Sequence, residues 1–229
     1  YYGGALVCGL DRLPGVVGGF DWPTASRDEC SEWRPEDPQE DSRRVVFVHC
    51  SGHETQEDRG GTFNDHQIAA TVHLARTLRA RELQILVLTP YNAQLQRLED
   101  KLDPVAAARR RRGRAHGARA GAGKGTHVVR RESTHVAQDQ PSIRVSTIDS
   151  AQGQEADVVI LSMVRANSTG RIGFTDDARR LNVAITRARA GVIIVGHGPT
   201  CAMSVSSGLG MLLTSLAKRS CVYEFDRDA

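Results

Sequence analysis

The sequence predicts an α/β fold with a mainly parallel sheet covered by helices on both faces. Two observations carry this. Several short segments are apolar almost end to end: Val45-Val46-Phe47-Val48, Ile85-Leu86-Val87-Leu88, Asp157 to Ser162, and Gly191 to Gly196. Strands buried on both faces read this way, whereas a half-exposed strand would alternate. Stretches with apolar residues at helical spacing lie between them, and that alternation marks a parallel sheet with helices on both sides.

The elements follow in order. Residues 1–43 form an irregular N-terminal segment rich in Gly, Pro and acids, as in Arg34-Pro35-Glu36-Asp37-Pro38. Such composition favours loop over packed core. The opening Tyr1-Tyr2-Gly3-Gly4 has no initiator Met and no signal-peptide pattern, so it reads as the tail of an upstream region. The folded domain is expected over 44–229. Val45 to Val48 opens it as a strand, and a polar loop runs from Ser51 to Thr62. Asn64 or Asp65 can then cap a helix whose stripe is Ile68, Ala69, Val72, Leu74, Ala75 and Leu78. Ile85 to Leu88 is a buried strand ended by Thr89-Pro90. Asn92 to Leu102 repeats Leu95, Leu98 and Leu102 at helical spacing.

Residues 103–141 break the pattern with Pro104, an Ala triplet, four consecutive Arg and Gly/Ala/Arg repeats. This is a low-complexity basic insert, expected to be disordered. Order returns in strands at Ile143-Arg144-Val145 and Asp157 to Ser162. A helix is expected from Asp176 to Ala188, with Leu181, Val183, Ala184 and Ile185 facing inward. The strand Gly191 to Gly196, a helix from Leu209 to Leu216, and a short strand from Cys221 to Phe225 complete the chain.

Composition excludes several classes. Of 229 residues, 40% are hydrophobic and 25% charged, which is ordinary for a globular protein. No run of about 18 apolar residues occurs, so no membrane span or membrane partner is expected. The net charge of +3 conceals an asymmetry. Nine Lys/Arg and no acid lie between Arg109 and Arg131, and the other 21 basic residues are outnumbered by 27 acidic ones. The five cysteines are scattered, with no Cys-x-x-Cys, which argues for reduced thiols in an intracellular setting, cytoplasm or nucleus. His49, Cys50 and His53 lie close together, but a strand end and a polar loop explain them, and no metal site is expected.

In a parallel sheet, function collects on loops at the carboxyl ends of strands. The polar segments Thr89-Pro90-Tyr91, Thr147 to Glu155 and Ser162 to Asn167 are expected there. Three motifs stand out. Gly121-Ala122-Gly123-Lys124-Gly125-Thr126 looks like the end of a phosphate loop. Ala118 stands where its first Gly would fall, and it follows Arg109 to Ala120 where a buried strand is required. Composition in a Gly/Ala/Arg tract explains it, and a small phosphotransferase using Lys124 is nearly excluded. The second motif is Val145 to Asp157, with Gln152-Gly153-Gln154-Glu155 in its turn. Gly153 permits close backbone approach to a ligand, and Glu155 offers an acceptor suited to a hydroxyl such as ribose; a plain loop with a capping Asp149 fits as well. The third is Arg179 to Arg189, where Arg180 and Arg187 fall two turns apart on one helix face. Two guanidiniums there suit a polyphosphate, and a solvated basic face is the alternative.

Together with Thr89 to Gln94, the last two motifs resemble the second (C-terminal) RecA-like domain of superfamily 1 helicases, most of all the nonsense-mediated-decay helicase group. Thr89 to Gln94 resembles motif IV, Val145 to Asn167 motif V and its extension, and Gly173-Phe174 to Arg189 motif VI. The resemblance covers residues 44–102 and 142–200. It implies a three-layer RecA-like, P-loop NTPase-type domain within an ATP-dependent RNA or DNA helicase. By the same resemblance, Arg187 matches the arginine finger, and Arg180 helps orient the nucleotide or ties the helix to the motif V loop. Gln152, Gly153 and Glu155 face the nucleotide; Thr89, Tyr91, Thr147 and Asp149 face single-stranded nucleic acid. ATP with Mg2+ is expected to be held mainly by an upstream RecA-like domain, since no phosphate loop on a buried strand and no Asp-Glu pair after one occur here. This chain alone is therefore expected to be inactive. A non-catalytic nucleic-acid-binding or interaction module that keeps the fold is the alternative.

Overall fold

A computed structural model describes residues 16–17, 45–58, 60–105, 107–108, 142–204, 207–218 and 221–225. The Gly121–Thr126 motif, most of the irregular N-terminal segment and the basic tract from Arg109 lie outside them. Nine strands are found among the described residues: β1 (Val16–Val17), β2 (Val45–His49), β3 (Thr55–Gln56), β4 (Thr62–Phe63), β5 (Ile85–Thr89), β6 (Ile143–Thr147), β7 (Ala156–Ser162), β8 (Ala188–Gly196) and β9 (Val222–Phe225). The helices are α1 (Asp65–Arg79), α2 (Asn92–Leu102), α3 (Ala178–Ile185), α4 (Gly198–Met203) and α5 (Gly208–Lys218).

Seven strands make one sheet in the order β1-β9-β2-β8-β7-β5-β6. The six from β9 to β6 are parallel, and β1 joins the edge antiparallel to β9. The apolar runs occupy the centre. Phe47 sits opposite Ile194, Leu161 opposite Ile194 on the other side, and Leu88 opposite Leu161. Phe47, Leu86, Leu88, Ile160 and Leu161 have no accessible surface. Helices α1 and α2 pack together against the sheet, while α3, α4 and α5 form a second group of contacts. This is the mainly parallel, helix-covered RecA-like arrangement.

Several local readings are refined by the structure. Asn64 is the α1 cap: it takes extended backbone geometry and its side chain accepts from the Gln67 amide at 3.1 Å. The buried stripe of α1 is Gln67, Ile68, Ala70, Thr71, Leu74, Ala75 and Leu78, so Ala69 and Val72 lie at its margin. Residues 104, 105, 107 and 108, within the segment 103–141 expected as the insert, are helical and Ala107 is buried; residues 109–141 lie outside the described residues. Helix α3 is shorter than the expected 176–188. A 3-10 turn at Gly173–Asp176 precedes it, Asp177 caps it, and Thr186 closes it. The chain must enter β8 at Ala188, and the β-branched Ile185-Thr186 pair ends the helix readily. Arg187 is therefore not on the same helix face as Arg180; it lies in the turn beyond the helix.

The β3–β4 hairpin and α4 carry weak sequence signals. Gly198-Pro199 reads as a break, yet Pro is suited to the first turn of a helix, and His197 caps α4 through its side chain. Cys50, Cys201 and Cys221 are buried, and burial pushes the thiols of Cys50 and Cys201 up to about 12.

Candidate functional site

Two edges of the sheet hold the candidate residues. At the carboxyl edge, β5 ends at Thr89 opposite Thr147, the last residue of β6. Thr89 is fully buried, so its side chain is not a surface contact. Its hydroxyl has no hydrogen-bond partner among the described residues, and its carbonyl accepts from Ile148 N at 3.3 Å. It braces the loop after β6. Thr147 accepts from the Ser150 amide at 3.2 Å and bonds the Ser150 hydroxyl at 2.8 Å, which fixes the turn that presents Asp149. Asp149 is exposed and pairs with Arg180 at 3.4 Å.

The segment 148–155 then crosses back to the amino edge, because β7 is parallel to β5 and begins at Ala156. Gln152 to Glu155 thus sit at the amino edge of the sheet, contrary to the expectation of the carboxyl edge; the parallel pairing of β7 with β5 is the reason. Gly153 has φ +79°, and no atom lies within 4 Å of where a Cβ would stand. The left-handed conformation favours glycine, and its backbone is open to a ligand. Gln152 is exposed. The Glu155 carboxylate is exposed and accepts from Arg189 Nε at 3.4 Å, and Arg189 also lies 3.7 Å from Asp157.

Arg187 comes to this same edge. Its carbonyl accepts from the Ala156 amide at 3.0 Å, which joins the α3–β8 turn directly to the residue after Glu155. Its side chain is half-buried, donating from Nε to the Val183 carbonyl at 3.1 Å and from Nη2 to the Thr186 hydroxyl at 3.2 Å. Among the described residues no carboxylate lies within ion-pair distance of it. Arg165 and Arg180 each have one, and Arg189 has two. A guanidinium held by neutral groups keeps its charge available for an incoming anion.

A third set of residues shares a role beyond the Asn64 cap and the motif IV position of Gln94. Asn64, Gln67, Gln94 and Ser162 form a buried polar cluster beneath the carboxyl edge. Gln94 accepts from the Asn64 amide at 2.9 Å and donates to Ser162 Oγ at 2.8 Å. Gln67 grips Val164 from both sides, accepting from its amide at 2.7 Å and donating to its carbonyl at 3.3 Å. Asn64 adds a second bond to that carbonyl at 3.3 Å. Val164 is held at φ +73°, costly for a β-branched residue, so these bonds impose the conformation. The grip aims the following residues, Arg165 to Asn167, toward the loop after β2. There Glu54 accepts from Ala166 N at 2.7 Å, Arg165 Nε at 2.9 Å and Asn167 Nδ2 at 3.2 Å. Partial burial works against the Glu54 charge. The Ala166 amide, with Arg165 and Asn167, outweighs it and holds the carboxyl below its ordinary range.

Tyr91 is half-buried, accepts from Arg165 Nη1 at 3.4 Å and meets Phe174 edge-on at 5.9 Å. Gly173, at φ +61°, makes this possible, since a Cβ there would collide with the Tyr91 hydroxyl.

The chain is similar to proteins of one family. The model of the AAA domain family matches residues 1–199. DNA polymerase alpha-associated DNA helicase A of Saccharomyces cerevisiae is 29% identical over 71% of this chain and 20% of its own length. Regulator of nonsense transcripts 1 of Caenorhabditis elegans is 27% identical over 88% of this chain and 15% of its own length. The homolog of that regulator in Drosophila melanogaster is 31% identical over 86% and 14%. The chain spans a fifth or less of the length of these relatives. With the parallel sheet and the ordered motifs in place, the chain belongs to the AAA domain family, as a superfamily 1 helicase domain of the nonsense-mediated-decay group.

Proposed function

We propose that this chain is the second RecA-like domain of an ATP-dependent helicase that moves along single-stranded RNA or DNA. It supplies Arg187 as the arginine finger and completes a nucleotide site shared with an upstream RecA-like domain of the same protein. The observation that carries this is the juxtaposition at the amino edge. Arg187, held by Val183 and Thr186 with no carboxylate partner among the described residues, is bonded through its carbonyl to Ala156, directly after Gly153 and Glu155.

The substrate fits these groups in kind. ATP offers a polyphosphate to Arg187, and its ribose offers hydroxyls to the exposed Glu155 carboxylate. Open space beside Gly153 admits the nucleotide close to the backbone. Arg187 meets the charge that grows on the transferred phosphoryl group as water attacks in line, so it stabilises the transition state more than bound ATP. Arg180 holds Asp149 and orients the crossover that bears Gln152 to Glu155. Mg2+, with the remaining phosphate contacts, falls to the upstream domain. At the carboxyl edge Tyr91, Thr147 and Asp149 face the strand, with Thr89 as a brace beneath them. Backbone contacts with limited stacking give little sequence preference.

The test is ATP turnover by the full-length protein with and without poly(U) or poly(dT). Turnover that rises several-fold with either polymer is expected. Nucleotide-independent binding of the polymers with no ATP turnover at all would instead favour a non-catalytic binding module.

A further inference from the structure

A series of side-chain contacts runs along the carboxyl edge to the first turn of α3, and that helix leads on to the amino edge. The series starts at Glu54, whose carboxylate accepts from Arg165 Nε at 2.9 Å. The same guanidinium donates from Nη1 to the Tyr91 hydroxyl at 3.4 Å. Tyr91 meets Phe174 edge-on, with ring centroids 5.9 Å apart. The Arg180 guanidinium lies over the Phe174 ring, 4.8 Å from its centroid, and also pairs with Asp149 at 3.4 Å. Arg180 sits in the first turn of α3, and the far end of that helix leads into Arg187.

The links differ in strength. Arg180–Asp149 is exposed and contributes little by itself. Arg165–Glu54 is the firm anchor. Its side chains are only 21% and 13% exposed, and Glu54 is further fixed by the Ala166 amide and Asn167. Arg165 also follows Val164, whose left-handed backbone is clamped by Gln67 and Asn64. Its root is therefore rigid, and only its guanidinium can respond to Tyr91. Phe174 is half exposed, so core burial does not explain it; its described partners are Tyr91 and Arg180.

Resting on the reading of Tyr91 as strand-facing and Arg187 as nucleotide-facing, we propose that Arg165 is a positioning residue. It ties the Tyr91 loop to helix α3 through Phe174 and Arg180, so that single-stranded nucleic acid on the carboxyl edge sets the placement of Arg187 on the amino edge. Binding at one site biases chemistry at the other through packed side chains and a rigid helix.

The experiment measures ATP turnover by the full-length protein, without and with saturating poly(U) or poly(dT), for wild type, Arg165→Met, Phe174→Ala, the double variant and Arg165→Lys. The expected result is a ratio of stimulated to unstimulated turnover that falls from several-fold to near one in Arg165→Met and in Phe174→Ala. The double variant should lose no more than either single one, because both interrupt one series. Arg165→Lys keeps an ion pair with Glu54 but cannot also hold Tyr91, so it should fold normally and still show the loss. An unchanged ratio, equal loss of stimulated and unstimulated turnover, multiplying losses in the double variant, or full recovery with Lys would each overturn the inference while leaving the helicase reading intact. Wild-type turnover that neither polymer stimulates would overturn both.

Discussion

Val164 is the residue on which the carboxyl edge turns. It adopts a backbone conformation that costs on the order of 1–3 kcal/mol for a non-glycine residue, and Gln67, Asn64 and, through Asn64, Gln94 hold it there. Gln94→Leu removes an acceptor from the Asn64 amide and a donor from Ser162, both buried. Each orphaned group costs roughly 1–3 kcal/mol, so chemical denaturation should show a loss of about 2–6 kcal/mol with the slope unchanged. A loss under 0.5 kcal/mol, within the usual range for surface substitutions, would mean that the cluster is not needed to fix the loop. These glutamines carried a readable signal. Gln94 falls on the Leu98 and Leu102 stripe, and Gln67 on the Leu74 and Leu78 stripe, and a polar residue on an apolar face marks a buried hydrogen-bonding role. Glu54 in its polar loop and the left-handed backbone of Val164 carried none, because their partners are about a hundred residues away in sequence.

At the scale of elements, the central strands were legible because burial on both faces demands unbroken apolar runs. The expected strand β2 and helix α2 correspond closely to Val45–His49 and Asn92–Leu102. What the pattern concealed was where elements stop. The length of α3 is set by the need to enter β8, a constraint from the sheet, and this moved Arg187 off the helix. Helix α4 was hidden behind Gly198-Pro199. Its start depends on two histidines: His49 Nδ1 accepts from Gly198 N at 3.0 Å, and His197 Nδ1 accepts from Thr200 N at 3.3 Å. Burial first, then the neighbouring His49 and His53, holds His197 below its ordinary pKa. A histidine depressed in the folded state prefers to be neutral there. Its contribution is complete above the unfolded value of about 6.5 and is lost as pH falls from there through the lower folded value. The melting temperature should therefore decline between pH 7.5 and 5.5, and His197→Asn, which keeps a capping oxygen, should flatten that decline. Glu54, also depressed, contributes only to losses at lower pH. An equally steep decline in the variant would assign the effect to other groups.

At the scale of the whole molecule, one mainly parallel sheet separates two sets of candidate residues. The carboxyl edge gathers Tyr91, Thr147 and Asp149, while the amino edge gathers Gly153, Glu155 and Arg187. The crossover 148–155 and helix α3 run between them, tied by Arg180 to Asp149. Motif order along the chain made both sets of residues visible, but not their division between opposite edges, which follows from β6 and β7 both running parallel to β5. The most direct measurement is made on the full-length protein carrying Arg187→Ala, comparing ATP turnover with ATP affinity. Turnover should fall by roughly 10³ or more, the range of arginine fingers, with affinity within a few-fold and the melting temperature little changed. Arg187→Lys should recover little, because an ammonium cannot reproduce the planar fork. Arg189→Ala, which loses an exposed pair with Glu155, should remain close to wild type. Equal losses at Arg187 and Arg189, or turnover preserved in Arg187→Ala, would contradict the placement of the finger.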